Sequence, residues 1–248
     1  MTVNLKEIVE NLIDNFLEAG DLAIQLREKG LVKKIKSDNT PVSNGDLEVN
    51  KFISKKISEV TPNLPIISEE TSENKDNLNL KDFWLVDPID GTSNFMHGIP
   101  HFAISIALEK KDEIIAGIIF DPIKNEIFYA EKNSGAYFNN HRVRVSSKID
   151  LEECLFSSNS YGVKFATPNL NMRNTGCAAL DLAYVGSGRL DGFFHNKINI
   201  WDIAAGILII DEAGGKVSDI SAFGDEAIDI RASNSNIYQK MLEKIKNF

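Results

Sequence analysis

Cysteine is scarce: Cys154 and Cys177 are the two in 248 residues, far apart and outside any CxxC spacing. That argues against a disulfide framework or a thiolate zinc site and suits a reducing cytoplasm. Positive charge is also in deficit, with 27 Lys and Arg against 36 Asp and Glu and a net charge of -9. A surface for the phosphate backbone needs clustered Lys and Arg, so direct nucleic-acid binding is not expected. Long apolar runs are missing. In the opening MTVNLKEIVENLIDNF, acidic residues interrupt each apolar stretch, so neither a signal-peptide core nor a membrane span is expected. Repeats, low-complexity tracts and long linkers are absent as well.

What is there is ordinary globular material, 43% hydrophobic and 25% charged, in a chain long enough for one large domain or two fused halves. Leu5, Ile8, Val9, Leu12, Ile13 and Phe16 recur at three-and-four spacing, which predicts an amphipathic helix stopping at Gly30. A second helix is expected after Ser43 and Asn44, with Asp46 in its first turn, apolar residues Leu47, Phe52, Ile53 and Val60, and an end before Pro62. From Pro65 the pattern turns to short strands, PIIS, FWLVD, FAISIAL, IIAGIIF, EIFYA and RVRV, separated by turn-rich connections such as DPIKN and NNH. This reads as an antiparallel meander. Beyond about residue 150, helices are expected at Ala178–Val185 and Trp201–Ala213, strands at GFF and AIDIRA, and a last helix from Asn236 to Lys246 capped by Ser233 or Ser235. We place a soft boundary near 145, giving sub-domains 1–145 and 146–248 packed as one unit.

Three elements carry chemistry. In WLVDPIDGTSNF a buried-looking strand delivers Asp87 and Asp90, followed by Gly91, Thr92 and Ser93. Asp-Pro-x-Asp-Gly is also good β-turn composition, and a solvated turn explains most of it. Alternatively, the stiffened backbone aims two carboxylates and the Ile89 carbonyl at a hard cation. PIISEET ends a short strand in Glu69 and Glu70, which alone suits a solvated loop. INIWDIAAG puts Asp202 in the opening turn of an apolar helix, where the helix dipole alone would favour it. Together they are the pattern by which metal-dependent phosphatases gather ligands from distant sequence, and crowded carboxylates facing an anionic substrate need cations to reverse the local charge.

In that order and spacing, SEE, DPIDGTSNF and WDIAAG resemble the inositol monophosphatase family, and TGCAALDLAYVGSGRLDGFF is similar to its bacterial SuhB-type branch. The resemblance implies an α+β fold, a layered α-β-α-β-α sandwich, and a homodimer. It implies Mg²⁺ as cofactor, in two or three ions. Glu69, Asp87 and the Ile89 carbonyl would hold one, Asp87, Asp90 and Asp202 a second, with a third, weaker ion near Glu69. Thr92, paired with Asp46, would position the attacking water, and the Gly91 and Thr92 amides would bind phosphate. Asp90, Gly176, Cys177, Ala178 and His195 would face substrate. Inositol 1-phosphate is the expected substrate, with fructose 1,6-bisphosphate, 3′-phosphoadenosine 5′-phosphate and histidinol phosphate as alternatives. Lithium sensitivity is frequent in the family, and a regulatory role with the transcription machinery is a reading of a different class. His195 stands where inositol-specific members carry a glutamate, and Cys177 where a hydroxyl residue is common. Ser68 replaces the family's glycine at the strand exit. His97 and His101 read as structural, and Lys33, Lys34 and Lys36 most simply as a solvated charge run, although the resemblance implies a loop here that closes over the metals.

Overall fold

The computed structural model describes residues 5–36, 41–71, 82–159, 169–218 and 228–246, with side chains from residue 7 onward. Helix α1 (Leu5–Lys29) is followed by a two-stranded ribbon of β1 (Lys33–Ile35) and β2 (Pro41–Ser43), then helix α2 (Asn44–Val60). Ile8, Val9, Leu12 and Phe16 of the predicted α1 stripe are buried, and Leu5 lies outside the described side chains. Ser43 caps α2 through a capping box with Asp46, so Asp46 is fixed from both sides at the helix start. Leu47, expected inside, faces solvent; Val49, Ile53 and Ile57 form the buried stripe.

A seven-stranded sheet follows, ordered β3 (Ile66–Ser68), β4 (Asp82–Asp90), β5 (Ala103–Lys110), β6 (Glu113–Asp121), β7 (Glu126–Glu131), β8 (Gly135–Phe138) and β9 (His141–Val143). From β4 onward it is the expected antiparallel meander, but β3 joins β4 in parallel. The hairpin turns at Lys111-Asp112 and Asn139-Asn140 have both central residues at positive φ, which matches the twist of paired strands. The last strand ends at Val143, shorter than the RVRV run. Helix α3 (Thr92–His97) separates β4 from β5.

Alternation along β4 shows how the layers form. Trp84 and Val86 join α1 and α2 in one core, whereas Phe83 and Leu85 join the opposite one. That second core is shared with α4 (Ala178–Gly186) and α5 (Ile200–Glu212), and with residues of a five-stranded sheet. The second sheet has the order β11-β10-β12-β14-β13, from β10 (Leu155–Ser157), β11 (Asn171–Arg173), β12 (Gly192–Ile198), β13 (Gly215–Val217) and β14 (Ile228–Asn234). Its outer face packs Phe156 and Phe194 against Met241 and Ile245 of helix α6 (Tyr238–Ile245). The layers therefore run α-β-α-β-α, as expected. Helix α5 crosses the large sheet at Gly117, where a Cβ would stand 2.8 Å from Ala205 Cα. The cap of α6 differs from expectation: neither Ser233 nor Ser235 serves, and Asn234 Oδ1 accepts from the N–H groups of Asn236 and Ile237 at 2.9 and 3.1 Å. No helix among the described residues is long and apolar enough to cross a membrane.

Candidate active site

The DPID segment is strand rather than reverse turn. Asp87 pairs with Ser105 and Asp90 with Ala103, so three steps along β4 match two along β5. This bulge re-aims the chain, and Asp87 Oδ1 accepts from the Ile89 N–H at 3.0 Å within it. Glu69 opens a single 3₁₀ turn after β3, which lies beside β4. Ser68 is buried beneath it; its Oγ donates to Asn50 Oδ1 at 2.7 Å and accepts from Glu70 N–H at 3.2 Å. Asp202 arrives from the first turn of α5.

These elements bring one oxygen each of Glu69, Asp87 and Asp202 within 4.8 Å of one another. Burial, then the charges of Glu69, Asp90 and Asp202, push the Asp87 carboxyl well above its ordinary value. Asp202 is raised well above its own by burial and by Asp90 and Glu69. Asp90 borders the cluster and is pushed by burial up to about 6, although donors to its oxygens work against the rise. Its Oδ2 accepts from Cys177 Sγ at 3.0 Å and from the Ala179 N–H at 2.6 Å.

Beside the cluster, Asp46 uses Oδ2 to accept from Ser43 N–H and Ser43 Oγ, at 2.8 and 2.6 Å. Its Oδ1 meets Thr92 Oγ1 at 3.0 Å, and the same hydroxyl lies 3.0 Å from the Ile89 carbonyl. Gly91, at φ 89°, caps α3. A Cβ there would lie 3.1 Å from the Gly176 carbonyl, so the 175–177 turn packs directly on the DGT segment. Cys177 is fully buried and Ala178 is buried beside it.

His195 comes from the second sheet. It sits on β12 opposite Ile230, its ring near Phe193, its carbonyl accepting from Arg231. Burial lowers its pKa, as does the charge of Arg231. His97 Nδ1 lies 2.8 Å from the Ser93 carbonyl within α3, and His101 is near Tyr184. Lys36 departs from the solvated-run reading: its Nζ donates to Glu69 Oε1 at 2.9 Å and Glu70 Oε1 at 2.8 Å. The two carboxylates raise its pKa against the effect of burial. Sequence reasoning also missed Asn94, whose Nδ2 donates to the carbonyls of both His101 and Thr175 at 2.8 Å. Its place inside DGTSNF was the available signal.

An all-oxygen donor set, mutually repelling carboxylates and an ammonium drawn between two of the glutamates all fit a hard divalent cation. The inositol monophosphatase family model matches residues 4–247. The chain belongs to the inositol monophosphatase family. It is thus a phosphatase, a hydrolase, of a metal-dependent family. The fructose-1,6-bisphosphatase/inositol-1-monophosphatase of Thermotoga maritima is 44% identical over 75% of this chain and 73% of its own. The Nus factor SuhB of Haemophilus influenzae is 38% identical over 95% and 91%. The solved structure of the extragenic suppressor protein suhB from Bartonella henselae superposes with a TM-score of 0.85 at 36% identity, covering 97% of this chain and 98% of that one.

Proposed function

We propose that this phosphatase hydrolyses a small phosphate monoester, inositol 1-phosphate first among candidates, with Mg²⁺ held by Glu69, Asp87, Asp90, Asp202 and the Ile89 carbonyl. The observation that carries it is the approach of three carboxylates to within 4.8 Å, an arrangement that costs free energy unless a cation enters. Bound magnesium supplies the positive charge that polarises phosphate oxygens and acidifies water. The chain's own groups supply position. With both Ser43 donors on one oxygen of Asp46, the other is left to take the Thr92 proton. Lone pairs of Thr92 Oγ1 are then free to accept from the attacking water and hold it towards phosphorus. The amides of Gly91 and Thr92 face the phosphate, and Gly176, Cys177, Ala178 and His195 bound the alcohol. A third, weaker ion would be held near Glu69, whose carboxylate now pairs with Lys36. In this reading most of the ligands sit in an N-terminal sub-domain ending near 145, with Asp202 in the C-terminal one, and the protein is a cytoplasmic homodimer.

The name of the Thermotoga relative supports inositol 1-phosphate and fructose 1,6-bisphosphate alike. That of the Haemophilus relative supports a further role with a transcription-complex partner. Phosphate release decides between substrates. Inositol 1-phosphate, fructose 1,6-bisphosphate, phosphoadenosine phosphate and histidinol phosphate are offered with Mg²⁺ and with excess chelator. Metal-dependent turnover led by inositol 1-phosphate is expected; preference for another ester replaces the substrate, and no release with Mg²⁺ overturns the reading.

A further inference from the structure

Behind the 175–177 turn lies a hydrogen-bonded unit with no ligand of its own. Asn159, two residues beyond β10, accepts on Oδ1 from the N–H groups of Thr175 and Gly176 at 3.1 and 2.9 Å. Its Nδ2 donates to Asp181 Oδ2 at 3.3 Å. Asp181, fully buried in the first turn of α4, accepts on Oδ1 from Thr175 Oγ1 at 2.8 Å. Thr175 Oγ1 in turn accepts from the Cys177 N–H at 3.3 Å. From the opposite side Asn94 grips the Thr175 carbonyl. The segment held in this way delivers Cys177 Sγ and the Ala179 N–H to a single oxygen of Asp90.

We propose that Asn159 is a positioning residue for the phosphatase reaction, acting through the 175–177 turn to set the direction of Asp90 and the substrate-facing backbone at Gly176. This rests on the reading of Asp90 as a metal ligand. An amide is the neutral side chain that can accept from two backbone N–H groups while donating to a carboxylate. Gly176 sits at φ 79°, packed on Asn94 and against Gly91, so the turn has one conformation that fits and needs its N–H groups pinned to keep it. Two donors from this segment hold Oδ2 of Asp90 and fix the direction of its carboxylate, and displacement of the turn rotates it away. Displacements of about 1 Å in such supports cost up to ~100-fold in rate. Asn159 thereby couples the second sheet to a carboxylate on the first, with no contact to substrate.

The test is Asn159→Ala in the full chain, with Thr175→Val, which removes the hydroxyl link to Asp181, as the second variant. Mg²⁺ alone is titrated by calorimetry, and steady-state kinetics are run with inositol 1-phosphate. Asn159→Ala is expected to weaken Mg²⁺ binding and raise KM, each by about tenfold, with Thr175→Val shifting both in the same direction by less. The double variant should fall short of the product of the two, since they act as one unit. Values within about twofold of wild type in Asn159→Ala, or activity lost only in step with folded fraction by circular dichroism, overturn the proposal. Should Asn159→Ala fail to fold, unchanged Mg²⁺ affinity and KM in Thr175→Val overturn it equally. Asp202→Asn is run alongside: wild-type metal dependence there sinks the metal site itself, whereas its loss beside a normal Asn159→Ala sinks this inference alone.

Discussion

Asp87 and Asp191 are both carboxylates exposed by 1%, and their surroundings are opposite. Asp191 is met by donors: Ser146 Oγ at 2.5 Å, Lys148 Nζ at 2.9 Å and the Leu155 N–H at 2.7 Å. Its charge is answered by the protein, and it ties the start of β10 to the 146–148 segment. Asp87 is met chiefly by other acids; burial first, and then the charges of Glu69, Asp90 and Asp202, drive its carboxyl towards holding a proton. Burial alone does not distinguish structure from function. What distinguishes them is whether folding supplies the counter-charge or leaves it to a ligand.

The largest effect that would sharpen this contrast is on turnover. Asp87→Asn or Asp202→Asn should cut phosphate release by roughly 10³-fold or more, since several kcal/mol of transition-state stabilisation go with the cation. The metal-free melting temperature should not fall, because a repulsion is removed. Wild-type turnover in either variant would erase the distinction. Next is linkage: Mg²⁺ at about 100 times its Kd should stabilise the wild type by about 2.7 kcal/mol. Thermal melts should show that gain kept in Asp191→Asn and lost in Asp87→Asn. Smaller again, Asp191→Asn should destabilise by about 2 kcal/mol in denaturant titration, because Lys148 is partly exposed, with kcat per folded molecule unchanged. A fall in kcat there would break the comparison from the other side.

The smallest effect is in pH. Asp90, raised in the folded state to about 6 from an ordinary 3.8, holds its proton more tightly folded than unfolded. The stabilisation is complete below the ordinary value and is lost as pH rises through about 6. Metal-free melting temperatures should therefore decline across that window, less steeply in Asp90→Asn. A metal-free wild type that gains stability over the same range would contradict the assignment.

Much of this was legible in the sequence, for reasons that are local. The α1 stripe, the helix start after Ser43 and the short strands each announce themselves over a few residues, whereas the layered arrangement was implied by the family resemblance. The acids of the cluster were named because three elements, each explicable alone as a turn, a loop or a helix start, occur together in the order and spacing of the inositol monophosphatase family. The parallel placement of β3 was not legible, since periodicity carries no strand direction. Lys36 was missed because one lysine in a basic run looks like the next, and its partners lie 33 and 34 residues away. Asn159 was missed for the same reason: its amide answers backbone groups that only the folded chain brings near. Neither serine caps α6, whose N-cap position is Ile237 with no side-chain cap; Asn234 Oδ1 instead holds the turn that leads into the helix, a contact that serine spacing does not announce.

The bulge in β4 gives the chain an unusual kind of sensitivity. Side chains three apart on a regular strand point to opposite faces, and the extra residue between Asp87 and Asp90 cancels that alternation. Ile89 contributes a carbonyl and a fully buried side chain, and beyond those it contributes one unit of length. Exchange for another aliphatic residue would keep that length; deletion would leave the two carboxylates two apart on a regular strand, still on one side of the sheet, but without the bend that re-aims the chain and without the Ile89 carbonyl. At this point a count of residues is stored in the chain as information, and a frame-preserving codon loss would damage it more than most changes of letter.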